Sequence, residues 1–258
     1  MNGRARQEWA VELIGFGKSY RAGWSAKSLT AVESLTLRLA SGQVLGLLGP
    51  NGSGKSTTLK ALAGLLRPER GEVLVYGHPA GSLAARALVG YLPELPQFPA
   101  HLTGREFLLY CAGLSSLKQD RTLARIEQTL EWGGLRDAGP RRLGTYSKGM
   151  LQRLGLAQAI LHDPALVLLD EPASGLDPAG RLALNRLIRD LAAQGKAIVF
   201  SSHLLAQAEQ LCDQLAILGR GRLLVAGSPA DLLGSARVES PEPSRLEQLY
   251  LEKMGSHG

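Results

Sequence analysis

The stretch VLGLLGPNGSGKST, residues 44–57, decides the fold. Residues 44–48 are apolar and are typical of a buried strand, and the residues after them match the pattern G-x-x-x-x-G-K-[S/T], which joins a strand to a helix. Glycines let the backbone curl so that consecutive N–H groups point at phosphate oxygens, and the N-terminus of the following helix adds partial positive charge. The residues predicted to bind nucleotide phosphates are Gly49, Pro50, Asn51, Gly52, Ser53, Gly54, Lys55, Ser56 and Thr57.

Two acids further along the chain complete the chemistry that this loop needs. Lys55 is expected to reach the β and γ phosphates, and the Ser56 hydroxyl is a natural Mg²⁺ ligand. Residues 165–171 (ALVLLDE) are typical of an apolar strand that ends in Asp170 and Glu171. Asp170 suits Mg²⁺ coordination, directly or through water, and Glu171 is placed to polarise an attacking water. A strand end of this kind alone is usually only solvated, but its position after a phosphate loop favours the catalytic interpretation.

Apolar runs and helical patterns alternate around these two motifs. This order predicts a largely parallel sheet with helices on both faces. The predicted strands are residues 11–14, 35–39, 44–48, 73–76, 166–169, 197–200, 216–218 and 223–225, and the predicted helices include 57–66, 181–191 and 204–215.

Residues 93–156 interrupt the alternation. Three prolines punctuate their start, and only helical periodicity follows, as at Leu123, Ile126 and Leu130. The sequence therefore divides into a core of residues 1–92 and 157–227, an inserted helical subdomain of residues 93–156, and a tail of residues 228–258. The tail contains a linker-like ESPEPS and a short helical pattern, and we expect it to be peripheral.

The composition excludes several classes of protein. With 258 residues, of which 45% are hydrophobic, the chain can bury a sizeable core. The net charge of +6 fits an acidic partner such as a nucleotide, nucleic acid or an anionic membrane face, although the charge is spread along the chain. Two cysteines without metal-like or redox-like spacing indicate a reducing compartment. The N-terminus is unlike a secretory signal, and no run approaches the ~20 apolar residues of a membrane-spanning helix, so we expect a cytoplasmic protein.

Residues 146–150 (YSKGM), followed by Gln152 and Arg153, make the prediction specific. Together with the phosphate loop and the strand ending in two acids, they make the chain resemble the nucleotide-binding subunit of an ATP-binding cassette (ABC) transporter over almost its whole length. In that family a signature motif, most often L-S-G-G-Q, begins a helix in the helical subdomain. The residues at its place are Ser147, Lys148, Gly149 and Met150. Further motifs in the family's order are an adenine-stacking aromatic at Tyr20, the Q-loop at 91–94 with Glu94, the D-loop at 174–177 with Asp177, and a switch histidine at His203.

The resemblance implies a fold and a mechanism. The fold is α/β: a RecA-like P-loop NTPase core with a mixed, largely parallel sheet, an N-terminal antiparallel β portion and an inserted α-helical subdomain. ATP and Mg²⁺ are the implied ligands, with Ser56, Glu94 and Asp170 as the metal-binding residues. Glu171, Lys55 and His203 are the implied catalytic residues.

The resemblance also implies partners. A second ATP-binding subunit, expected to be an identical chain, would lie head to tail with the first, so that each ATP is held by the phosphate loop of one chain and the signature of the other. A membrane permease would contact residues 94–98, on the cytoplasmic face of a bacterial inner membrane. No nucleic acid partner is expected.

The chain departs from the family pattern at a few positions. Lys148 and Met150 replace the usual Gly and Gln, and Glu94 stands where most of the family has Gln. Glu94 together with YSKGM resembles the ATPases that serve ABC-2-type permeases, which favours export. An insertion follows Tyr20, so Trp24 is an alternative stacking residue. Ser147 also has a second interpretation as an ordinary helix N-cap, and the two roles are compatible.

Other functions of the same superfamily fit the sequence less well than transport. A DNA-repair or chromosome ATPase of this superfamily would need a long heptad-bearing arm between the phosphate loop and the signature, and residues 58–146 are too short for one. A ribosome-acting protein of this family usually carries two cassettes in one chain. A non-enzymatic binding module is disfavoured because Lys55, Asp170 and Glu171 are all present. A soluble ATPase that acts on ribosomes or DNA is the remaining alternative.

Overall fold

The computed structural model of the chain describes residues 9–21, 28–115, 117, 119–203, 205–233, 246, 249–250 and 252–253. In this part the strands are β1 (Trp9–Arg21), β2 (Ser28–Ala40), β3 (Val44–Leu48), β4 (Arg70–Val75), β5 (His78–Pro79), β6 (Val89–Leu92), β7 (Leu166–Leu169), β8 (Ala197–Ser202), β9 (Gln214–Gly219) and β10 (Arg222–Gly227). The helices are α1 (Lys55–Leu62), α2 (Leu83–Leu88), α3 (Gly104–Leu114), α4 (Gln119–Trp132), α5 (Lys148–Ile160), α6 (Pro178–Ala193), α7 (Leu205–Leu211) and α8 (Pro229–Leu233), and a 3₁₀ turn spans Leu143–Thr145.

The central sheet places the predicted motifs at one edge. Its strand order is β10-β9-β3-β8-β7-β6, and all neighbours are parallel except β9 and β10. Strands β3, β7 and β8 are buried along their whole length, as expected for apolar strands covered on both faces. Because parallel strands end at the same edge, the residues that follow β3, β6 and β7 meet the end of β8 there.

A second, antiparallel sheet covers the central one. Its order is β2-β1-β4-β5. Leu13 of β1 and Leu35 of β2 are fully buried in one cluster with Leu45 and Leu47 of β3, so the two sheets share a core. This confirms the predicted mixed, largely parallel sheet with an N-terminal antiparallel portion.

The helices α3, α4 and α5 lie between β6 and β7 in the chain and have a core of their own. Leu108, Ile126, Leu130 and Leu154 are buried in that cluster, whereas Leu123 is 69% exposed, so the periodicity assigned one residue to the wrong face. The division predicted at residues 156/157 falls inside α5, which continues to Ile160. The helix cannot be divided there because its residues contribute to both the helical cluster and the central core.

Two other sequence predictions fail at element ends, and two strands were missed, β6 and the two-residue β5. The predicted helix 57–66 ends at Leu62 because Gly64 takes a left-handed conformation, φ +69°. The predicted helix 204–215 ends at Leu211, and Gln214 already begins β9. Strand β6 has only four residues, one of them Gly90, which gives a weak signal for a strand.

Gly90 has a packing reason, which gives a prediction for stability. A Cβ at this position would lie 1.9 Å from the carbonyl oxygen of Ala159, and backbone atoms cannot give way as a side-chain end can. We expect Gly90→Ala to lower the free energy of unfolding by about 3 kcal/mol or more, measured by urea denaturation. Gly113→Ala on α3 is the control, since a Cβ there meets nothing within 4 Å, and it should be neutral or stabilising. Equal stability of both variants would contradict the packing argument.

The tail is less peripheral than the sequence indicates. Leu246 is fully buried, in one cluster with Val44, Leu48 and Leu211, and Leu249 and Tyr250 pack against that cluster. The expectation failed because ESPEPS resembles a linker, and the sequence does not show that Leu246 beyond it is buried in the core. Within the described residues, no helix has the length and apolar character needed to span a membrane.

Candidate functional site

The phosphate loop has a conformation that depends on its glycines. Gly49, Gly52 and Gly54 all have positive φ, at +150°, +79° and +106°. A Cβ at Gly49 would lie 2.3 Å from the Leu218 carbonyl oxygen, and one at Gly54 would lie 2.7 Å from the Ala31 carbonyl oxygen. Gly49 and Gly54 are therefore required for both backbone conformation and space, whereas Gly52, where a Cβ would meet nothing within 4 Å, is required for conformation alone.

The N-terminus of α1 offers free amides. The Thr58 N–H is bonded to the Gly54 carbonyl oxygen at 2.9 Å and is the first to have an intrahelical acceptor. Gly54 supplies no side-chain cap, and within the described part of the chain no acceptor is seen for the N–H groups of Lys55, Ser56 and Thr57, which can therefore bind an anion. An uncapped helix N-terminus behind a glycine loop fits a phosphate group.

Lys55 is held inside the loop. Its Nζ donates to the carbonyl oxygens of Gly49 at 2.7 Å and Pro50 at 3.1 Å, and the residue is only 6% exposed. Burial lowers the pKa of the Lys55 ammonium below its ordinary value, while the carboxylates of Glu171, Asp170 and Glu94 act in the opposite direction. A bound phosphate would add negative charge beside the Lys55 ammonium and so favour its charged form.

Ser56 and Asp170 meet as a metal-binding pair would. The Ser56 hydroxyl donates to Asp170 Oδ1 at 3.1 Å, and Asp170 is 2% exposed at the end of β7. One hydroxyl and one carboxylate are a small protein ligand set, which suits Mg²⁺ because this ion keeps waters and takes substrate phosphates as ligands. Among the described residues, no group of three or more His, Cys, Asp and Glu residues could hold a metal alone. The donor set thus fits Mg²⁺ bound together with a nucleotide.

Glu171 and His203 form a hydrogen-bonded pair. His203 Nδ1 lies 2.8 Å from Glu171 Oε2, and because an ionised carboxylate can only accept, Nδ1 is the donor. Glu171 has φ +47°, a left-handed conformation that costs energy in a residue with a side chain. Its carboxylate is mostly buried while His203 is exposed. The arrangement fixes one oxygen of Glu171, and no described residue hydrogen-bonds to the other, which can therefore accept from a water.

A single cavity brings most of the predicted site together. It measures about 750 Å³, within the usual range for small-molecule sites. The phosphate loop, Glu94, Glu171 and His203 line it, as does Tyr20 at its mouth, 42% exposed, with Lys18 Nζ 5.9 Å from its ring centre. Trp24, the alternative stacking residue, lies outside the described residues.

The predicted signature residues lie elsewhere in the same chain. Ser147 is the N-cap of α5, and its hydroxyl accepts a hydrogen bond from the Met150 N–H at 3.3 Å. Ser147 and Lys148 are exposed, and none of residues 146–150 is among the described residues that line the cavity. The structure therefore does not bring the signature to the phosphate loop of its own chain.

The signature helix instead contacts the predicted D-loop. The side chain of Lys148 packs against Gly175, where a Cβ would meet its carbons at 3.1 Å, and a Cβ on Gly149 would lie 3.0 Å from the Gly175 carbonyl oxygen. Asp177 caps α6 by accepting from the Gly180 N–H at 2.8 Å. The signature and the D-loop thus form one surface at the start of two helices.

Sequence reasoning assigned no role in this site to three residues, of which it named Gln152 only as part of the signature stretch. Ser201, fully buried, bonds to both Asp170 and Glu171. Gln152, also buried, donates to the carbonyl oxygens of Glu171 and Pro172 at 3.5 and 3.4 Å. Tyr250 of the tail lines the cavity. A signal existed for Ser201, which lies two residues before His203 on an apolar strand and so faces the same side. No comparable signal existed for Tyr250.

Comparison with known proteins gives a consistent family. The model of the family described as "ABC transporter" matches residues 32–174. An uncharacterized ABC transporter ATP-binding protein of Nostoc sp. is 45% identical over 221 residues, which cover 84% of this chain and 66% of that protein. A second one, of Synechocystis sp., is 44% identical over 87% of this chain and 64% of its own length. The chain thus spans less than two thirds of these two relatives. The Nod factor export ATP-binding protein I of Rhizobium sp. is 38% identical over 87% of this chain and 72% of its own length.

Solved structures support the same fold. The structure of an ATP binding subunit of an ABC transporter superposes with a TM-score of 0.81 at 31% identity, covering 95% of this chain and 99% of that one. A dimeric ATP-binding cassette in a post-hydrolysis state, bound to ADP and Pi, superposes with a TM-score of 0.77 at 23% identity, covering 85% and 98%. The second likeness concerns the fold alone.

Proposed function

The chain belongs to the ABC transporter family, and on that premise we propose that it binds and hydrolyses ATP as the nucleotide-binding subunit of a transporter. The observation that carries this proposal is the convergence of Lys55, Ser56 and the Glu171–His203 pair on one cavity, with Asp170 hydrogen-bonded to Ser56. A non-enzymatic binding module would have no need for the last pair.

Each residue of the site has its own role in the hydrolytic step. Glu171 polarises a water, which attacks the γ-phosphorus. The water's proton passes to the Glu171 carboxylate, and the new P–O bond forms as the bond from the phosphorus to the β–γ bridging oxygen breaks, releasing ADP and phosphate. Lys55 and the amides at the start of α1 stabilise charge on the phosphate oxygens. Ser56, Asp170 and Glu94 would hold Mg²⁺, which supplies further charge neutralisation when bound.

His203 has a positioning role in this scheme. Its hydrogen bond to Glu171 at 2.8 Å fixes the carboxylate, and because its ring is 65% exposed, Nε2 can face a γ-phosphate or the attacking water. Tyr20 at the mouth of the cavity supplies an aromatic face for adenine, since base stacking on aromatic rings is sequence-tolerant.

A second copy of the chain completes the site in this proposal. Ser147 and Gly149 present a hydroxyl and an amide at the N-terminus of α5, away from the cavity of their own chain. Two chains related by a two-fold axis would bring each signature to the other's phosphate loop. The contact of Lys148 with Gly175 within each chain would then join the signature to the D-loop, including Asp177, on the surface that meets the second chain.

A membrane permease is the proposed second partner. The Rhizobium relative is named for Nod factor export, and Glu94 with YSKGM resembles ATPases of ABC-2-type exporters, so we assign this chain to an exporter on the cytoplasmic side of the membrane. Leu95 is 68% exposed, and Phe98 packs edge-on against Phe107 with ring centres 5.0 Å apart, which anchors the region between the core and the helical part. An exposed apolar residue beside a rigid anchor suits a docking surface.

The proposed function is tested by purified-chain ATP hydrolysis and by co-purification. Turnover that requires Mg²⁺ and is lost in Lys55→Ala supports the ATPase. Recovery of an integral membrane protein with the chain supports the transporter, whereas recovery of ribosomes or DNA would support the soluble alternative.

Cross-linking locates the permease contact. In a chain with Cys111→Ala and Cys212→Ala, we expect a cysteine at the exposed Gln97 to cross-link to a cysteine in a cytoplasmic loop of the co-purifying permease. The matched control is Glu72→Cys on β4, exposed but on the antiparallel sheet. Cross-linking at Glu72 and none at Gln97, measured by mobility on denaturing gels, would place the contact elsewhere.

A further inference from the structure

Ser201 joins the two acids of the site by a pair of hydrogen bonds. Its hydroxyl accepts from the backbone N–H of Glu171 at 2.8 Å and donates to Asp170 Oδ1 at 2.7 Å. The residue is fully buried in β8, and Asp170 beside it is nearly so. The hydroxyl of Ser201 therefore contacts both acids, although the two follow another strand, β7.

The direction of these bonds is fixed by chemistry. An amide N–H can only donate, so the Ser201 oxygen must accept from Glu171 and its single proton must go elsewhere. The carboxylate oxygen Oδ1 of Asp170 can only accept, and it accepts hydrogen bonds from the Ser201 hydroxyl at 2.7 Å and from the Ser56 hydroxyl at 3.1 Å. Among the described residues, Ser201 is thus the one side chain whose hydroxyl connects the Glu171 backbone to the Asp170 carboxylate by hydrogen bonds.

The Glu171 backbone needs such an anchor. Its φ of +47° is unfavourable for a residue with a side chain, and strained residues persist only where surrounding contacts hold them. Three contacts from described residues hold the Glu171 backbone: the Ser201 hydroxyl accepts from its N–H at 2.8 Å, and its carbonyl oxygen accepts from the Ser174 N–H at 3.0 Å and from the Gln152 amide at 3.5 Å. The Ser201 contact is the shortest of the three and comes from a fully buried residue.

We propose that Ser201 is a positioning residue for hydrolysis: its hydroxyl holds Glu171 in the left-handed conformation that aims the carboxylate at His203 and the attacking water, and it sets the Asp170 oxygen that faces Ser56. This inference rests on the proposed ATPase function. It goes beyond the motif residues, because Ser201 belongs to none of them and acts through Glu171 and Asp170.

The test is Ser201→Ala, which removes one oxygen atom and leaves the strand residue small. Misplacement of a catalytic group by about 1 Å can cost on the order of 10²-fold, so kcat should fall by about 10- to 100-fold. The affinity for a fluorescent ATP analogue with Mg²⁺, measured by titration, should change by less than about threefold, because the phosphate loop is untouched. Ser201→Thr, which keeps a hydroxyl, should restore most of kcat.

A double-mutant cycle separates positioning from general destabilisation. In a Glu171→Gln background the carboxylate is already absent, so Ser201→Ala should lower single-turnover hydrolysis by less than about twofold further. Thr129→Val is the control for loss of a buried hydroxyl: Thr129 Oγ1 donates to the Ile126 carbonyl oxygen in the helical core, far along the chain from these acids. It should lower the melting temperature and leave kcat unchanged.

The outcomes are separable. Equal kcat in wild type and Ser201→Ala, or a full additional loss in the Glu171→Gln background, would overturn the positioning role while leaving the ATPase proposal intact. A parallel fall of kcat and melting temperature in Ser201→Ala and Thr129→Val would also overturn it. Absence of hydrolysis by the wild-type chain with its membrane partner would overturn the proposed function, and this inference with it.

Discussion

Glu171→Gln is expected to lower kcat by about 10²- to 10⁴-fold while ATP stays bound, because a positioned general base contributes an effect of that size. Gln has the shape of Glu, and its amide oxygen can still accept the hydrogen bond from His203 Nδ1 that Glu171 Oε2 accepts at 2.8 Å. The substitution therefore removes proton acceptance and leaves the site's geometry in place. Phosphate release under saturating MgATP measures kcat, and titration with a fluorescent ATP analogue measures binding.

The control for Glu171 is another glutamate with no part in the site. Glu72 is exposed on β4, and Glu72→Gln should leave both kcat and affinity unchanged. If Glu171→Gln kept more than about a tenth of wild-type kcat, another group would have to take the water's proton, and Glu171 would lose the role of base. A loss of ATP affinity in Glu171→Gln would instead assign the residue to binding.

Contiguous motifs were predictable because backbone geometry ties them together. The glycines, Lys55 and Ser56 belong to one loop whose conformation is set by its own residues, and Asp170 and Glu171 end one buried strand. The parallel sheet then follows from alternation of strands and helices, which places these two strand ends at a common edge.

Residues whose role depends on other strands were not predictable in this way. Ser201 is a small residue near the end of an apolar strand, and its function appears only when β8 lies beside β7 and its hydroxyl meets both acids. Tyr250 reaches the cavity because Leu246 is buried in the core, a long-range contact that the linker-like ESPEPS does not indicate. Leu123 fits the helical period of Ile126 and Leu130 but faces solvent. The period identifies one face of the helix, but it does not show how far along that face other elements pack against it.

Ser147→Asp is expected to abolish ATP-dependent dimerisation while preserving the fold of the single chain. Asp is as good an N-cap as Ser, so the bond from the Met150 N–H and the start of α5 should survive. In the proposed dimer, however, the new carboxylate would face the γ-phosphate held by the partner. Like charges placed against each other across an interface cost several kcal/mol, so the dimer should weaken by at least about 10²-fold.

The measurement uses the Glu171→Gln chain, in which bound ATP is consumed about 10²- to 10⁴-fold more slowly, so that the dimer accumulates. With MgATP this chain should sediment as a dimer, and Glu171→Gln with Ser147→Asp should sediment as a monomer at the same concentration. Ser82→Asp in the same background is the matched control, because Ser82 caps α2 by the same contact, accepting from the Ala85 N–H at 3.2 Å, and lies outside the proposed interface. Dimerisation of the Ser147→Asp chain equal to that of the control would leave Ser147 with its capping role alone, and the contact with a second chain's phosphate would have to be assigned to other residues.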